Sequence, residues 1–148
     1  MKNILWLLLL LVPVLYAEEK TYGSVQISEI STIYDGDTFY INIHEWPPIV
    51  GNHIAVRVKG IDTPEIKGKC THEIQQARKA KQFTVAFLRN AKVVMLKNMT
   101  RDKYFRINAE VYADGKNLAE TLLASGLAVK YEGKKKRSWC RAKSVFFN

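Results

Sequence analysis

The chain has 148 residues, of which 47% are hydrophobic, and a formal net charge of +9 at pH 7. This length fits a single domain with a core of its own rather than several domains, and the sequence contains no evident repeat or linker. The excess of positive charge predicts an acidic partner, with nucleic acid first and an anionic membrane or cell wall second. Charge alone does not separate these partners.

The first element in the chain is an apolar segment, residues 4–15, which follows a single basic residue, Lys2. The segment is shorter than the stretch of about 20 residues needed to cross a hydrocarbon core. Together with the small residue Ala17, it is typical of a secretory signal peptide cleaved after that alanine. We therefore expect residues 1–17 to be removed and residues 18–148 to form one secreted or periplasmic domain. An uncleaved membrane anchor is the alternative.

The rest of the chain alternates between strand-like and helix-like patterns. Apolar and polar residues alternate, as in strands, at residues 38–44, 54–59 and 103–113. Two further strands fit residues 24–33 and 91–97. In the segment 103–113, Phe105 and Ile107 are expected to face the core and Tyr104 and Arg106 the solvent. Apolar residues at helical spacing predict helices at residues 71–90 and 116–126, and residues 45–52 are predicted as a loop.

This order is three strands, a helix, two strands and a short helix. It predicts an α+β, mainly β fold, namely a five-stranded OB-fold barrel with two helices packed on it. Barrels of this kind commonly bind oligonucleotides, which agrees with the positive charge but is an argument from fold alone.

Two cysteines, Cys70 and Cys140, stand far apart in the chain. In an exported protein an even pair of cysteines predicts a disulfide. A zinc site is the alternative, because His72 lies two residues from Cys70, although no fourth ligand stands at metal spacing.

Two acidic motifs follow apolar strands. "YDGDTF" places Asp35 and Asp37 around Gly36, and "DTPE" begins with Asp62 and Thr63. Taken alone, Asp-Gly is typical of a hairpin turn and "DTPE" of a helix start. Taken together, Asp37 and Asp62 offer carboxylate oxygens and Thr63 a backbone carbonyl. This ligand set, completed by water, suits a calcium ion.

Three further residues complete a possible catalytic site. Glu65 lies a few residues beyond the predicted ligands, where it can orient and deprotonate a water molecule. Arg57 and Arg106, taken alone, are exposed strand residues, but beside a metal they can serve as bidentate phosphate clamps. Phosphodiester hydrolysis requires a Lewis acid, a positioned water and cations where charge accumulates. The residues therefore predict a metal-dependent phosphodiesterase.

Three motifs occur in a familiar order: "DGDT" at residues 35–38, "RVKGIDTPE" at 57–65 and "RDKYFR" at 101–106. With them the chain resembles the staphylococcal nuclease (thermonuclease) family over roughly residues 24–130. The resemblance implies an OB-fold, calcium-dependent cleavage of DNA and RNA, and products that end in 3′-phosphates.

The resemblance also implies roles for the acidic residues. Asp37 and Asp62 match the calcium carboxylates of the family, and Thr63 matches its carbonyl ligand. Glu65 matches the acid that is proposed to activate water. These roles agree with those deduced from the residues themselves.

The basic and aromatic candidates have counterparts as well. Arg57 and Arg106 match the two phosphate-binding arginines of the family. Lys103 and Tyr104 match residues that contact the terminal phosphate of a bound nucleotide. Tyr131 is expected to offer an aromatic platform for a base. Nucleic acid is thus the implied substrate.

The chain departs from the family pattern at two places. Phe105 occupies the position of a glycine that is usual in the last motif, which would reshape the pocket. Only a short basic tail follows the second helix, in place of the family's long C-terminal helix. We expect a Cys70–Cys140 bridge to replace that helix by tying the tail to the start of the first long helix. The run "KKKR" at residues 134–137 would then lie near the substrate channel or be a solvated tail.

These observations favour an exported, calcium-dependent nuclease, which we expect to be a monomer. The alternative is a catalytically silent nucleic-acid-binding module, because nuclease-like domains can lose their acids and persist as binders. A basic cell-surface adhesion domain would explain the charge and the leader but not the carboxylates.

Overall fold

The computed structural model describes residues 20–140. The predicted leader and its cleavage site, at residues 1–17, lie outside the described residues, as do residues 141–148 of the basic tail. Within the described part, no helix has both the length and the apolar character needed to cross a membrane.

The described part of the chain contains nine strands and three helices. The strands are β1 (Val25–Gln26), β2 (Glu29–Ile33), β3 (Thr38–Asn42), β4 (Ile54–Val58), β5 (Ile61–Asp62), β6 (Val94–Arg101), β7 (Ile107–Ala113), β8 (Lys116–Asn117) and β9 (Val129–Lys130). The helices are α1 (Pro48–Gly51), α2 (Thr71–Arg89) and α3 (Leu118–Ala124).

The strands form one large mixed sheet and one small ladder. The large sheet has the order β1-β6-β7-β4-β3-β2, with β8 joined to β7, and the small ladder pairs β5 with β9. Strands β4 and β7 run parallel, whereas the other pairs in both sheets are antiparallel. The sheet curls into a half-barrel, with α2 packed on β2 and α3 packed on β7. The predicted α+β, mainly β, OB-fold-like architecture is therefore confirmed.

The core lies between the curved sheet and the two longer helices. In β7 buried and partly exposed residues alternate along the whole strand, as the period of two requires. Helix α2 buries one face, with small residues where it approaches the sheet closely. The central fully buried side chains are Phe39, Ile41, Val56, Val58, Leu88, Leu96, Val111, Leu118 and Leu122.

Two predicted elements differ in their bounds. Residues 24–33 were predicted as one strand but form β1 and β2, because β1 pairs with β6 whereas β2 pairs with β3. Residues 45–52 were predicted as a loop but include the short helix α1, which begins at a proline. Proline is well tolerated in a first helical turn, since its missing N–H would have no partner there. A strand was predicted at residues 91–97, and the corresponding strand β6 is Val94–Arg101.

The expectation that Phe105 faces the core is wrong. Strand β7 begins at Ile107, and the residues before it form a turn around Asp102. The Asp102 carboxylate accepts hydrogen bonds from the backbone N–H groups of Tyr104 (2.9 Å) and Arg106 (3.0 Å). Phe105 lies in this turn with φ of 65°, and 71% of it is exposed. The strand alternation therefore does not include Phe105. The Phe105 ring is on the surface, with the Arg101 guanidinium over it.

We expect Phe105→Gly to raise the free energy of unfolding by about 1 kcal/mol, because a side chain with a Cβ is strained at positive φ and glycine is not. Urea unfolding of the wild type and this variant measures the difference. Phe105→Ala is the matched control, since it removes the ring but keeps the Cβ and the strain. A glycine variant no more stable than the alanine variant would show that the backbone is relaxed at this turn.

Candidate active site

The first acidic motif is the turn between β2 and β3. Asp35 Oδ1 accepts a hydrogen bond from the backbone N–H of Asp37 at 3.1 Å. Between them, Gly36 has no room for a Cβ, which would lie 2.8 Å from Ala80 and from Thr63. The Gly36 carbonyl accepts a hydrogen bond from the Thr84 hydroxyl at 2.7 Å. Glycine at this position therefore lets the turn sit directly against α2.

The second acidic motif begins at the end of β5 and contacts the first. The backbone N–H of Thr63 donates to Asp37 Oδ2 at 2.8 Å. Asp62 and Thr63 are both buried. Helix α2 begins only at Thr71, so "DTPE" is not a helix start in this fold. The two motifs instead form one acidic cluster, as predicted for the metal ligands.

Arg57 on β4 bridges the two carboxylates. Its Nη1 forms an ion pair with Asp37 Oδ2, and its Nη2 donates to Asp62 Oδ1 at 3.2 Å and to the Ile61 carbonyl at 3.0 Å. Arg57 is 9% exposed, so the alternative of an exposed strand residue is wrong. The guanidinium therefore holds both acids in place within a buried site.

Asp35, which is not among the predicted ligands, belongs to the same cluster. Burial of its carboxyl and the neighbouring Asp37 charge raise the pKa of Asp35 to about 7. Glu65 also contributes to this shift by repulsion. The "DGD" motif was the available signal, because it places two carboxylates within a single turn.

The cluster offers a chemically suitable set of donors for a hard divalent cation. Asp35, Asp37 and Asp62 supply carboxylate oxygens. The hydroxyl oxygen of Thr63 is buried and has no hydrogen-bond partner among the described residues. An unsatisfied buried oxygen on a residue that is itself hydrogen-bonded to Asp37 fits a cation that prefers oxygen ligands. The residues present therefore fit the calcium ion that the sequence predicts.

Glu65 lies at the mouth of this cluster and forms an ion pair with Lys136, which is not among the predicted site residues. The Lys136 ammonium contacts Glu65 Oε1 at 2.5 Å and Asp62 Oδ1 at 3.0 Å. Burial acts to lower the pKa of Lys136, but the bonds to Glu65 and Asp62 outweigh it and raise that pKa above its usual value. Lys136 thus lines the cleft beside the acidic cluster, whereas the other residues of the run 134–137 do not line it.

Arg106 also lines the cleft and lies in the turn before β7. Its Nε donates to Asp102 Oδ2 at 2.7 Å, and its guanidinium lies 5.3 Å from the centre of the Tyr104 ring. Burial alone would raise the pKa of Asp102, but the hydrogen bonds from Arg106 and Tyr104 lower it overall. Arg106 is therefore oriented by Asp102 rather than by the acidic cluster.

One cleft of about 910 Å³ joins these groups. The parallel pairing of β4 with β7 sets Arg57 opposite Asn108, which brings the start of β7 beside the acidic cluster. Asp62 and Thr63 are buried next to Asp37. The other predicted site residues, which all line the cleft, are Asp37, Arg57, Glu65, Lys103, Tyr104, Arg106 and Tyr131.

The predicted disulfide between Cys70 and Cys140 is present. Cys70 is the N-cap residue of α2, so the bond ties the tail to the start of the first long helix, as expected. Because a disulfide provides no thiolate, the zinc alternative at Cys70 and His72 does not apply to this form.

The curled β-sheet, with an acidic cluster and two arginines in one cleft, defines the class as an OB-fold-like protein. Residues 55–144 match the model of the family described as staphylococcal nuclease homologue, and the chain belongs to that family. The matched residues begin after Asp37, so the match does not include the first acidic motif. The hydrogen bond from the Thr63 N–H to Asp37 is what joins that motif to the site.

Two curated relatives from Bacillus subtilis (strain 168) are similar to this chain. It is 35% identical over 96 residues to the SPbeta prophage-derived endonuclease YokF, covering 64% of this chain and 30% of the relative. It is 33% identical over 96 residues to the endonuclease YncB, covering 64% of this chain and 43% of the relative. The chain thus spans less than half the length of both relatives.

Proposed function

We propose that this protein is an exported, calcium-dependent nuclease that hydrolyses phosphodiester bonds of DNA or RNA and leaves 3′-phosphate ends. The observation that carries the proposal is the Arg57 bridge between Asp37 and Asp62 with Glu65 at the mouth of the same cleft. Membership of the nuclease family and two relatives named as endonucleases support the same activity.

In this proposal Asp37, Asp62 and Thr63 hold the calcium ion, with Asp35 beside them. The bound ion would supply Lewis-acid polarisation of the phosphate. Glu65 accepts the proton of the attacking water, because its carboxylate is half-exposed at the edge of the cluster and accessible to solvent.

The arginines stabilise the negative charge that accumulates on the phosphate during attack. Asp102 fixes the Arg106 guanidinium through Nε, so the group is oriented before substrate arrives. Arg57 lines the same cleft, beside the acids. A phosphate between the two arginines would meet fixed planar donors, which suit its oxygens better than a mobile ammonium.

The walls of the cleft suit a nucleotide chain. Lys103 and Tyr104 lie next to Arg106 and can contact the adjoining phosphate. Tyr131 is fixed by its backbone N–H, which donates to the Gly60 carbonyl at 3.0 Å, and by its hydroxyl, which donates to the Lys134 carbonyl at 2.9 Å. A fixed aromatic ring at a cationic cleft is suited to stack on a base.

A nucleic-acid-binding module without turnover is the second candidate. The observation that favours it is the ion pair between Lys136 and Glu65, because a carboxylate bonded to an ammonium is a poorer proton acceptor. The two candidates differ in whether calcium converts binding into cleavage.

Purified protein of residues 18–148 tests the proposal on DNA and RNA substrates labelled at one end. We expect cleavage with calcium, none with a calcium chelator, and products whose 3′ ends are extended by a polymerase only after phosphatase treatment. Oligonucleotide binding without calcium-stimulated cleavage would support the binding module instead.

Export is proposed from the leader alone. We expect the mature chain from the natural host to begin at Glu18, since a signal peptidase would cut after Ala17. Intact-mass measurement of the protein recovered from that host checks this. A mass that still includes Met1 would leave the anchor alternative standing.

A further inference from the structure

The short segment that follows β9 is fixed to the fold at both ends. On one side β9 pairs with β5, and the Tyr131 N–H continues the ladder to the Gly60 carbonyl. On the other side Cys140 is joined to Cys70 at the start of α2. The basic run at residues 134–137 therefore crosses the open side of the acidic cluster as a strap held at both ends.

Lys136 is the residue of this strap that enters the cluster. Its ammonium lies 3.0 Å from Asp62 Oδ1, the same oxygen that accepts a hydrogen bond from Arg57 at 3.2 Å. It also lies 2.5 Å from Glu65 Oε1. One ammonium thus contacts both a proposed calcium ligand and the proposed proton acceptor.

Attachment of the strap at both ends makes this ion pair more favourable than one formed by a lysine on a free tail. A lysine on a free tail loses much conformational entropy when it forms an ion pair, and exposed pairs consequently contribute little. Fixing the tail at both ends raises the effective concentration of the ammonium at the acids. The ammonium and a divalent cation carry the same sign of charge, so they compete for the same carboxylates.

We propose that Lys136 is a built-in counter-ion of the cation site, delivered by the Cys70–Cys140 disulfide, and that a divalent cation must displace it from Asp62 and Glu65. Loss of the Lys136 charge, or release of the tail, then tightens cation binding. The inference rests on the proposed function for the presence of a calcium site, but not on turnover.

The test is calorimetric titration of calcium into the protein without substrate. We expect Lys136→Gln to bind calcium about three- to tenfold more tightly than wild type, the size expected when one or two partly exposed ion pairs no longer compete. Lys135→Gln is the matched control, because it removes the same charge from the neighbouring exposed residue of the strap. We expect its affinity to stay within about twofold of wild type, since an exposed charge farther away is screened.

A double-mutant cycle tests the role of the disulfide. Replacing Cys70 and Cys140 by serine releases the tail and should tighten calcium binding as Lys136→Gln does. Adding the serines to the Lys136→Gln protein should then change nothing further, because the disulfide acts through the ammonium. If the serine protein does not fold, judged by circular dichroism, the comparison of Lys136→Gln with Lys135→Gln decides the counter-ion role, and calcium titration of the wild type with and without a mild reductant replaces the serine variant as the test of the disulfide.

The outcomes separate this inference from the proposed function. Equal calcium affinity of the Lys136→Gln and Lys135→Gln proteins overturns the counter-ion role, whatever the nuclease assay gives. Tighter binding by Lys136→Gln supports the role even if no nucleic acid is cleaved. Absence of calcium binding in every protein overturns both the inference and the proposed metal site.

Discussion

Glu65→Gln is expected to lower kcat for nucleic-acid cleavage by about 10²–10⁴-fold, the usual contribution of a general base. The amide keeps the size of the side chain but removes the negative charge and most of its ability to accept a proton. Affinity for an oligonucleotide should stay near that of the wild type, because activation of water matters mainly in the transition state. Single-turnover cleavage and binding in the presence of a chelator measure the two quantities separately.

Glu132→Gln is the control for this experiment. Glu132 lines the same cleft and is exposed, so its replacement makes the same chemical change away from the acidic cluster. We expect it to leave kcat near that of wild type, because Glu132 is not among the groups proposed to hold the cation, the water or the phosphate. If Glu65→Gln retained kcat to the same extent, Glu65 would not be the proton acceptor.

Arg57→Met is expected to lower the free energy of unfolding by about 3–5 kcal/mol in the absence of calcium. The change keeps an apolar stem but leaves Asp37 and Asp62 buried without the cation that bridges them. Removing one partner of a buried ion pair carries a cost of this size, because among the described residues Asp37 then has no cationic partner and Asp62 keeps only the half-exposed Lys136. Chemical denaturation in a calcium-free buffer measures the loss.

Calcium should partly restore the stability of this variant. A divalent cation supplies the positive charge that the two carboxylates have lost, and a ligand that binds only the folded state stabilises it. We therefore expect calcium to raise the Tm of Arg57→Met by more than it raises that of wild type. Arg101→Met, at the exposed end of β6, is the control and should show neither effect. A loss for Arg57→Met no larger than for Arg101→Met would mean that the bridge contributes nothing to stability.

The sequence predicted the acidic cluster well, and the reason is local. Alternation in β4 set the face of Arg57, and "DTPE" follows the same stretch of chain after one turn, so Arg57 and Asp62 had to end up close together. Asp37 joined them because it directly precedes β3, whose first residue, Thr38, pairs with Arg57 on β4. Motif and strand period together were sufficient for these three residues.

Motif and strand period do not indicate which other segments of the chain cover the polar face of a strand. Arg57 was expected on an exposed strand face, but the structure buries it, and its guanidinium bonds to both residues of β5. Phe105 was placed by strand alternation, yet the turn built on Asp102 ends that pattern before β7 begins. Period alone carries no information about which segments cover a strand or where a turn ends it.

The position of Lys136 was the least accessible to sequence reasoning. The run "KKKR" has no period, and its neighbours fit a solvated tail equally well. Its place is set by a disulfide with a sequence separation of 70 and by the pairing of β9 with β5. Both are long-range contacts, so the lysine meets Glu65 only once the whole domain has folded.

A calcium titration of the wild-type protein on an end-labelled oligonucleotide tests the central proposal most directly, with binding and cleavage followed in the same samples. The proposed function predicts that cleavage rises with calcium to saturation and disappears when a chelator is added. Binding that persists across neutral and alkaline pH while calcium stimulates no cleavage would contradict it, and the protein would then be a nucleic-acid-binding module.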